Sequence, residues 1–292
     1  MSGAYDVEVF AGDLGWTEGP VVRHGSGEVL VVSIDRGHLY QADGSSATRV
    51  AVTGGGPNGA TEGLDGSIYV SQDGGNSERS QKTPGVSGGV QVLRPNGRVE
   101  ALTTDLVSPN DLCLGPDGQL YVTDPTRPRA RHDGRLWRVD PQSGASYLIT
   151  SLDWYPNGIG FGPEPDAIYV ADSNGARIVR FGFEDGGVLG EPETFAAMRG
   201  GRPDGFCFDA EGNLVVAVVG ADDNRGSVAV HDRSGALVEQ VFPGPHQKYT
   251  NVALDQERRL FITDSEGGAI LLIEDWPTAG LPLHPFRQES DA

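Results

Sequence analysis

One short apolar segment recurs six times along the chain: LVVSID from Leu30, IYVSQD from Ile68, LYVTDP from Leu120, IYVADS from Ile168, LVVAVV from Leu214 and LFITDS from Leu260. Successive copies lie 38, 52, 48, 46 and 46 residues apart. Self-similarity at such a period belongs to repeat architectures, in which each unit buries its apolar face only against its neighbours. A second strand pattern follows each copy, from HLYQAD (38–43) to AILLIEDW (269–276). A third leads back in five of the six units: ATRVAVT, RVEALTT, SYLITS, ETFAAM and LVEQVF. With the short segment before each first copy, every unit has four strands. The segment VEVFAGDL (7–14) carries the same pattern without a preceding partner. The expected fold is therefore all-β, a six-bladed β-propeller with four antiparallel strands per blade. The N-terminal strand closes the last blade, so that no long edge stays open. The expectation is one domain over 1–292, with a core of about 5–276 and a C-terminal tail at 277–292.

Composition removes other options. The formal net charge is −19, which argues against nucleic acid and anionic membranes as partners. No apolar run reaches the ~18–20 residues of a spanning helix. The start, MSGAYDVEVFAG, has neither the basic nor the apolar region of a secretory signal. The two cysteines, Cys113 and Cys207, form no metal or redox motif and are expected as buried thiols in a reducing, cytoplasmic setting.

The chemistry sits at one phase of the repeat. Just before each innermost strand stands a polar residue: Glu18 (WTEGP), Asn58 (GPNGA), Asn110 (SPNDL), Asn157 (YPNGI), Asp204 (RPDGF) and Asn251 (YTNVA). Each precedes the next recurring strand by 9 to 12 residues, so all six fall near the central channel. Singly, Pro-Asn-Gly and Pro-Asp-Gly are ordinary turn sequences. As a set, six oxygen-bearing side chains without His or Cys suit a hard divalent cation. Ca²⁺ is foremost, with Mg²⁺, Mn²⁺ or Zn²⁺ as further candidates. The longest connections, Gln72–Gly88 and Asp124–Gly134, fall on the same face as this ring.

WTEGP, SPNDLCLGPDGQLYVTD, YPNGIGFGPEPDAIYVADS and RPDGFCFDAEGNLVVA together resemble the senescence marker protein/gluconolactonase family, also called regucalcin-like. The resemblance runs from about Tyr5 to Trp276. It implies a six-bladed propeller with one catalytic divalent metal held by Glu18, Asn157 and Asp204, with Asn110 as a fourth ligand or a substrate contact. It also implies Asp204 as the base, with water activated by the cation itself as the alternative. Members acting on sugar lactones tend to carry Arg two residues before the third-blade Asn. Here that residue is Ser108, which points away from a polyhydroxylated sugar lactone.

The remaining candidate substrate contacts are Asn58, Asn251, Trp16, Ser108, Tyr155 and His246. His246 suits a proton shuttle as well as a solvated loop position. Trp16, Trp154 and Tyr155 suit an apolar rim or packing between blades. Arg127, Arg129, Arg131 and His132 suit a lid for an anionic substrate or a solvated basic loop. Asp124, Asp172 and Asp264 are expected to cap loops. His24, His38, His231 and His284 are assigned no chemistry. The favoured reading is a metal-dependent lactonase acting on a small molecule, with the oligomeric state left open. The alternatives are a diisopropyl fluorophosphatase-like hydrolase, a metal-dependent lyase or isomerase, and a non-catalytic binding propeller.

Overall fold

A computed structural model describes residues 5–127, 132–184, 188–222 and 224–286. Six antiparallel sheets form a six-bladed propeller, and in the first five the strands run in chain order from the centre outward. The innermost strands are Thr17–Val22, Pro57–Glu62, Leu112–Leu114, Pro156–Phe161, Gly201–Phe208 and Tyr249–Leu254. Blade 6 takes its outer strand from the N-terminus: Glu8–Ala11 pairs antiparallel with Ala269–Ile273, as the unpartnered 7–14 segment required.

One addition was not legible in the repeat. In blade 4 the third strand, Arg177–Glu184, runs past the outer strand Glu193–Ala197 and pairs at its far end with Val188–Leu189. A further departure is that Glu18, Asn58, Asn157, Asp204 and Asn251 lie inside the innermost strands and not before them, because pairing with the second strand extends past each of them. In blade 3 the innermost strand is only three residues long and Asn110 lies just ahead of it, as expected.

The second strand of each blade is buried on both faces. Val29–Ser33, Ile68–Asp73, Leu120–Asp124 and Leu260–Asp264 are buried throughout. A strand enclosed by its neighbours on both sides reads as a continuous apolar run rather than an alternation, which is why this strand carried the visible repeat. Alternate side chains pack against the blade before and the blade after. The resulting apolar clusters number six, one per junction. One joins Val32 and Leu39 of blade 1 to Val70 of blade 2, and another joins Phe261 and Ile270 of blade 6 to Val31 of blade 1. Each fully buried Leu, Ile or Phe contributes about 1.5–3 kcal/mol, so the ring is held at every seam, including the closing one.

Strand direction sorts the loops onto two faces. Starts of innermost strands, turns after second strands and the connections between blades share one face. On it Asp73, Asp124, Asp172 and Asp264 end their strands, and each accepts a backbone N–H from the following turn, at Gly75, Thr126, Gly175 and Gly267. The loop-capping role expected of Asp124, Asp172 and Asp264 is what these bonds describe.

Candidate functional site

The six repeat-phase residues converge at the mouth of the channel on this face, and all are buried. The backbone explains their direction. Strand register shifts between Glu18 and Val21, Pro57 and Ala60, Pro156 and Ile159, Pro203 and Phe206, and Tyr249 and Asn251. An irregularity of this kind re-aims side chains that a regular pleat would bury between strands. Hydroxyls from the preceding blade hold the ring in place. Ser71 donates to the Asn110 carbonyl, Thr123 to the Asn157 carbonyl at 2.7 Å, and Ser265 to the Thr17 carbonyl at 2.6 Å.

Small residues set how tightly the blades meet. Gly158 follows Asn157, and a Cβ there would stand 2.3 Å from the Asp204 carbonyl oxygen. A Cβ on Gly205 would stand 2.0 Å from the Asn251 side chain. Glycine follows the ring residue in blades 1, 2, 4 and 5, but blade 3 has Asp111 instead. Its carboxylate lies over Gly59, where an added Cβ would meet Oδ1 at 2.1 Å. Asp111 is the site residue that sequence reasoning missed. The signal was present, since SPNDL is the one copy with a charge at that position.

Three acidic groups therefore share one buried space. Burial, reinforced by the charges of Asp204 and Asp111, pushes the Glu18 carboxyl well above the usual carboxylate range. Burial, with Asp204 adding, pushes Asp111 up to about 7 against hydrogen bonds from the Leu112 and Ile159 amides and the Asn251 side chain. Glu18 accepts from the Gly19 N–H at 3.1 Å and from Asn251 Nδ2 at 3.4 Å. Asn251 Oδ1 accepts the Val252 N–H at 2.8 Å, and its amide nitrogen steadies Glu18. Asn157 donates Nδ2 to Ser173 at 3.1 Å and keeps Oδ1 available. Among the described residues no three His, Cys, Asp or Glu side chains form a metal-holding group. A cation here would rely on amide as well as carboxylate oxygens. Buried carboxylates that repel one another, in an all-oxygen set, fit a hard divalent ion, whose charge would offset theirs.

The outer candidates divide. Trp16 is half-buried on the loop face, with the Arg79 guanidinium 4.2 Å from its ring centroid. Trp154 is part of the apolar cluster between blades 3 and 4, and Tyr155 is buried beside it. Ser108 is fully buried; its N–H donates to Asp124 at 2.9 Å, and its hydroxyl has no partner within the described residues. His246 is about one-third exposed and shares a 2.6 Å hydrogen bond between Nδ1 and Asp264 Oδ2. Arg127 lies 4.0 Å from Asp73, and His132 Nδ1 contacts the Asp153 carbonyl at 2.8 Å. Arg129 and Arg131 lie outside the described residues. Cys113 and Cys207 are free thiols.

Comparison with known proteins bears on the family and the fold. A sequence profile described as the SMP-30/Gluconolactonase/LRE-like region matches residues 16–266. The 6-deoxy-6-sulfogluconolactonase of Pseudomonas putida is 29% identical over 177 residues, 59% of this chain and 59% of that protein's length. The gluconolactonase of Zymomonas mobilis is 24% identical over 295 aligned positions, covering 89% of this chain and 79% of that one. Regucalcin of Agrobacterium tumefaciens, a calcium-binding protein, superposes with a TM-score of 0.77 at 20% identity over 98% of both chains, a likeness of fold.

Proposed function

This chain belongs to the SMP-30/gluconolactonase/LRE-like family, and on that premise we propose that its polar ring opens a lactone, a cyclic ester, by hydrolysis with the help of one divalent cation. The observation that carries the reading is the convergence of Glu18, Asp111 and Asp204 in a buried ring whose other members are Asn side chains. The relatives named as gluconolactonases support the reaction class.

Glu18, Asn157 and Asp204 would hold the cation, with Asn110 as a fourth ligand or a substrate contact. Ca²⁺ is the ion this donor set suits best. When bound, such an ion supplies Lewis-acid polarisation of the lactone carbonyl. Asp204 takes the proton from the attacking water. The water oxygen adds to the carbonyl carbon, the bond from that carbon to the ring oxygen breaks, and the ring oxygen takes back the proton held by Asp204 and leaves as a hydroxyl. The product is a hydroxy acid, whose carboxyl group then ionises and releases one proton. Asn251 and Thr250 hold the Glu18 carboxylate in position. The hydrogen bond from His246 Nδ1 to Asp264 leaves Nε2 as an acceptor at the rim, suited to carrying the released proton outward. Asn58, Trp16, Ser108 and Tyr155 are proposed to bound the space that the substrate occupies.

The test is metal content of the purified protein by plasma mass spectrometry, for wild type, Glu18→Ala and Asp204→Ala. The reading expects about one divalent ion per chain in wild type and its loss in both variants. No ion in wild type supplied with Ca²⁺, Mg²⁺, Mn²⁺ or Zn²⁺ would leave a binding propeller as the better account.

A further inference from the structure

The channel does not end at the ring. On the opposite face, where the short turns lie, it widens into a cavity of about 420 Å³ that reaches inward to Asp111 and Asn251. This volume lies within the ~300–1,000 Å³ of small-molecule sites. The proposed lactone chemistry takes place above the ring and makes no use of this space.

The walls follow from the repeat. Three residues after each ring position stands a residue that lines this bore: Val21, Thr61, Cys113, Gly160, Cys207 and Leu254. None carries a charge. The aromatic rings of Phe161, Phe206 and Phe208 add to the apolar wall. Both thiols are partly exposed although they lie deep in the molecule, so their open surface faces the bore. Burial raises both thiol pKa values, to about 12 at Cys207, so each reacts only slowly with an electrophile that enters the bore.

The mouth is built as well. The segment after Trp276 crosses the end of the channel, tied by the Gly280 N–H to the Asp255 carbonyl at 2.7 Å and the Leu281 N–H to the Phe208 carbonyl at 2.9 Å. Its Phe286 ring stacks on His24 at 4.3 Å, with 6° between the planes. The cations at the mouth are already paired. Arg23 bonds Glu62 at 3.0 Å and Glu28 at 3.2 Å, and Arg259 bonds Asp255 at 2.7 Å. Among the described residues, an anionic ligand would find no unpaired arginine there. At the inner end, a carboxylate accepts up to about four hydrogen bonds, and Asp111 has capacity beyond those from Leu112, Ile159 and Asn251.

We propose that the lower channel is a second binding site, for a slender, uncharged, mostly apolar molecule carrying one hydroxyl. It enters from the short-turn face and directs its hydroxyl toward Asp111. Burial of the apolar body against Phe161, Phe206 and Phe208 supplies the affinity, and the paired mouth excludes anions.

The probe is 1-octanol, titrated calorimetrically into the full-length protein, with octanoate as the charged counterpart. The expected result is saturable one-to-one binding of octanol, with octanoate weaker by at least about tenfold. Occupancy should slow N-ethylmaleimide modification of Cys113 and Cys207, a readout that needs no variant. Cys113→Phe and Cys207→Phe, which fill the bore, should each weaken octanol by at least about tenfold in whichever of them retains the wild-type melting profile. Absence of saturable octanol binding, equal binding of octanoate, or unprotected thiols at saturation would each overturn the proposal. None of these outcomes depends on lactone turnover, so this site and the proposed reaction stand or fall separately.

Discussion

Asn251 donates its side-chain amide to Glu18 Oε2 at 3.4 Å, across the seam where the last blade meets the first. The two residues are 233 positions apart in sequence. The same seam is closed by the N-terminal strand in blade 6 and by hydrogen bonds from Thr250 and Ser265 to the Thr17 carbonyl. Closure of the ring and placement of the Glu18 carboxylate are therefore one structural event. Glu18→Gln keeps the shape and removes the charge. It is expected to lower lactone turnover by about 10²–10³-fold, the range for losing one group that stabilises developing charge. Steady-state kinetics at saturating metal check this, and unchanged turnover would remove Glu18 from the site.

Asp111 makes a second expectation. Burial and Asp204 raise its pKa to about 7, so without a cation it is a source of repulsion. Asp111→Asn should stabilise the chelated protein by about 1 kcal/mol, which is roughly 2–4 °C for a chain of this size. It should also weaken divalent-ion binding. Thermal melts in chelator, alongside an ion titration, read both effects. A destabilised variant would show that Asp111 is chiefly a structural acceptor.

How much of this was legible in the sequence depends on spacing and on periodicity. The recurring strand at Leu30, Ile68, Leu120, Ile168, Leu214 and Leu260 was visible because it is buried on both faces and so reads as unbroken apolar sequence. The ring was visible because its residues keep a constant offset from that strand. Asp111 was overlooked because its neighbour Asn110 held the expected phase, and the channel-facing direction of the next residue depends on how closely blades 2 and 3 approach at Gly59. The pairing of His246 with Asp264 joins a connection between blades to the end of a strand 18 residues on, a contact that no local pattern encodes. The lower cavity was hidden for the same reason, because its wall is assembled from one residue per blade.

The His246–Asp264 pair separates two roles by kinetics. If His246 carries the released proton, His246→Gln lowers kcat by about 10²-fold or more, with KM little changed. Asp264→Asn should give a smaller loss of kcat, because the imidazole keeps its place in the loop but loses the acceptor that orients Nδ1. A loop staple alone would instead lower the melting temperature or raise KM and leave kcat in place.

His231 ties stability to pH away from the site. It is buried in blade 5, its Nδ1 donates to the Gly235 carbonyl at 3.1 Å, and burial lowers its pKa below 6.5. The unfolded chain then binds a proton that the folded chain refuses. Stability is retained above pH 6.5 and is lost as pH falls from there toward the lowered folded value. His231→Gln keeps a donor and should flatten this limb in urea midpoints taken between about pH 5 and 8. His38, also lowered by burial, adds a dependence of the same sign in both proteins.

The central claim is lactone hydrolysis at the ring, and acid release measured in a pH-stat tests it most directly. Gluconolactone and a series of less polar lactones are supplied to wild-type protein that has been chelated, then reloaded with Ca²⁺, and to Asp204→Asn. The account predicts release at least about 10²-fold above background for one or more lactones, abolished by chelation and in the variant. Acid release that persists undiminished in Asp204→Asn, or none from reloaded wild type on any lactone, would contradict it.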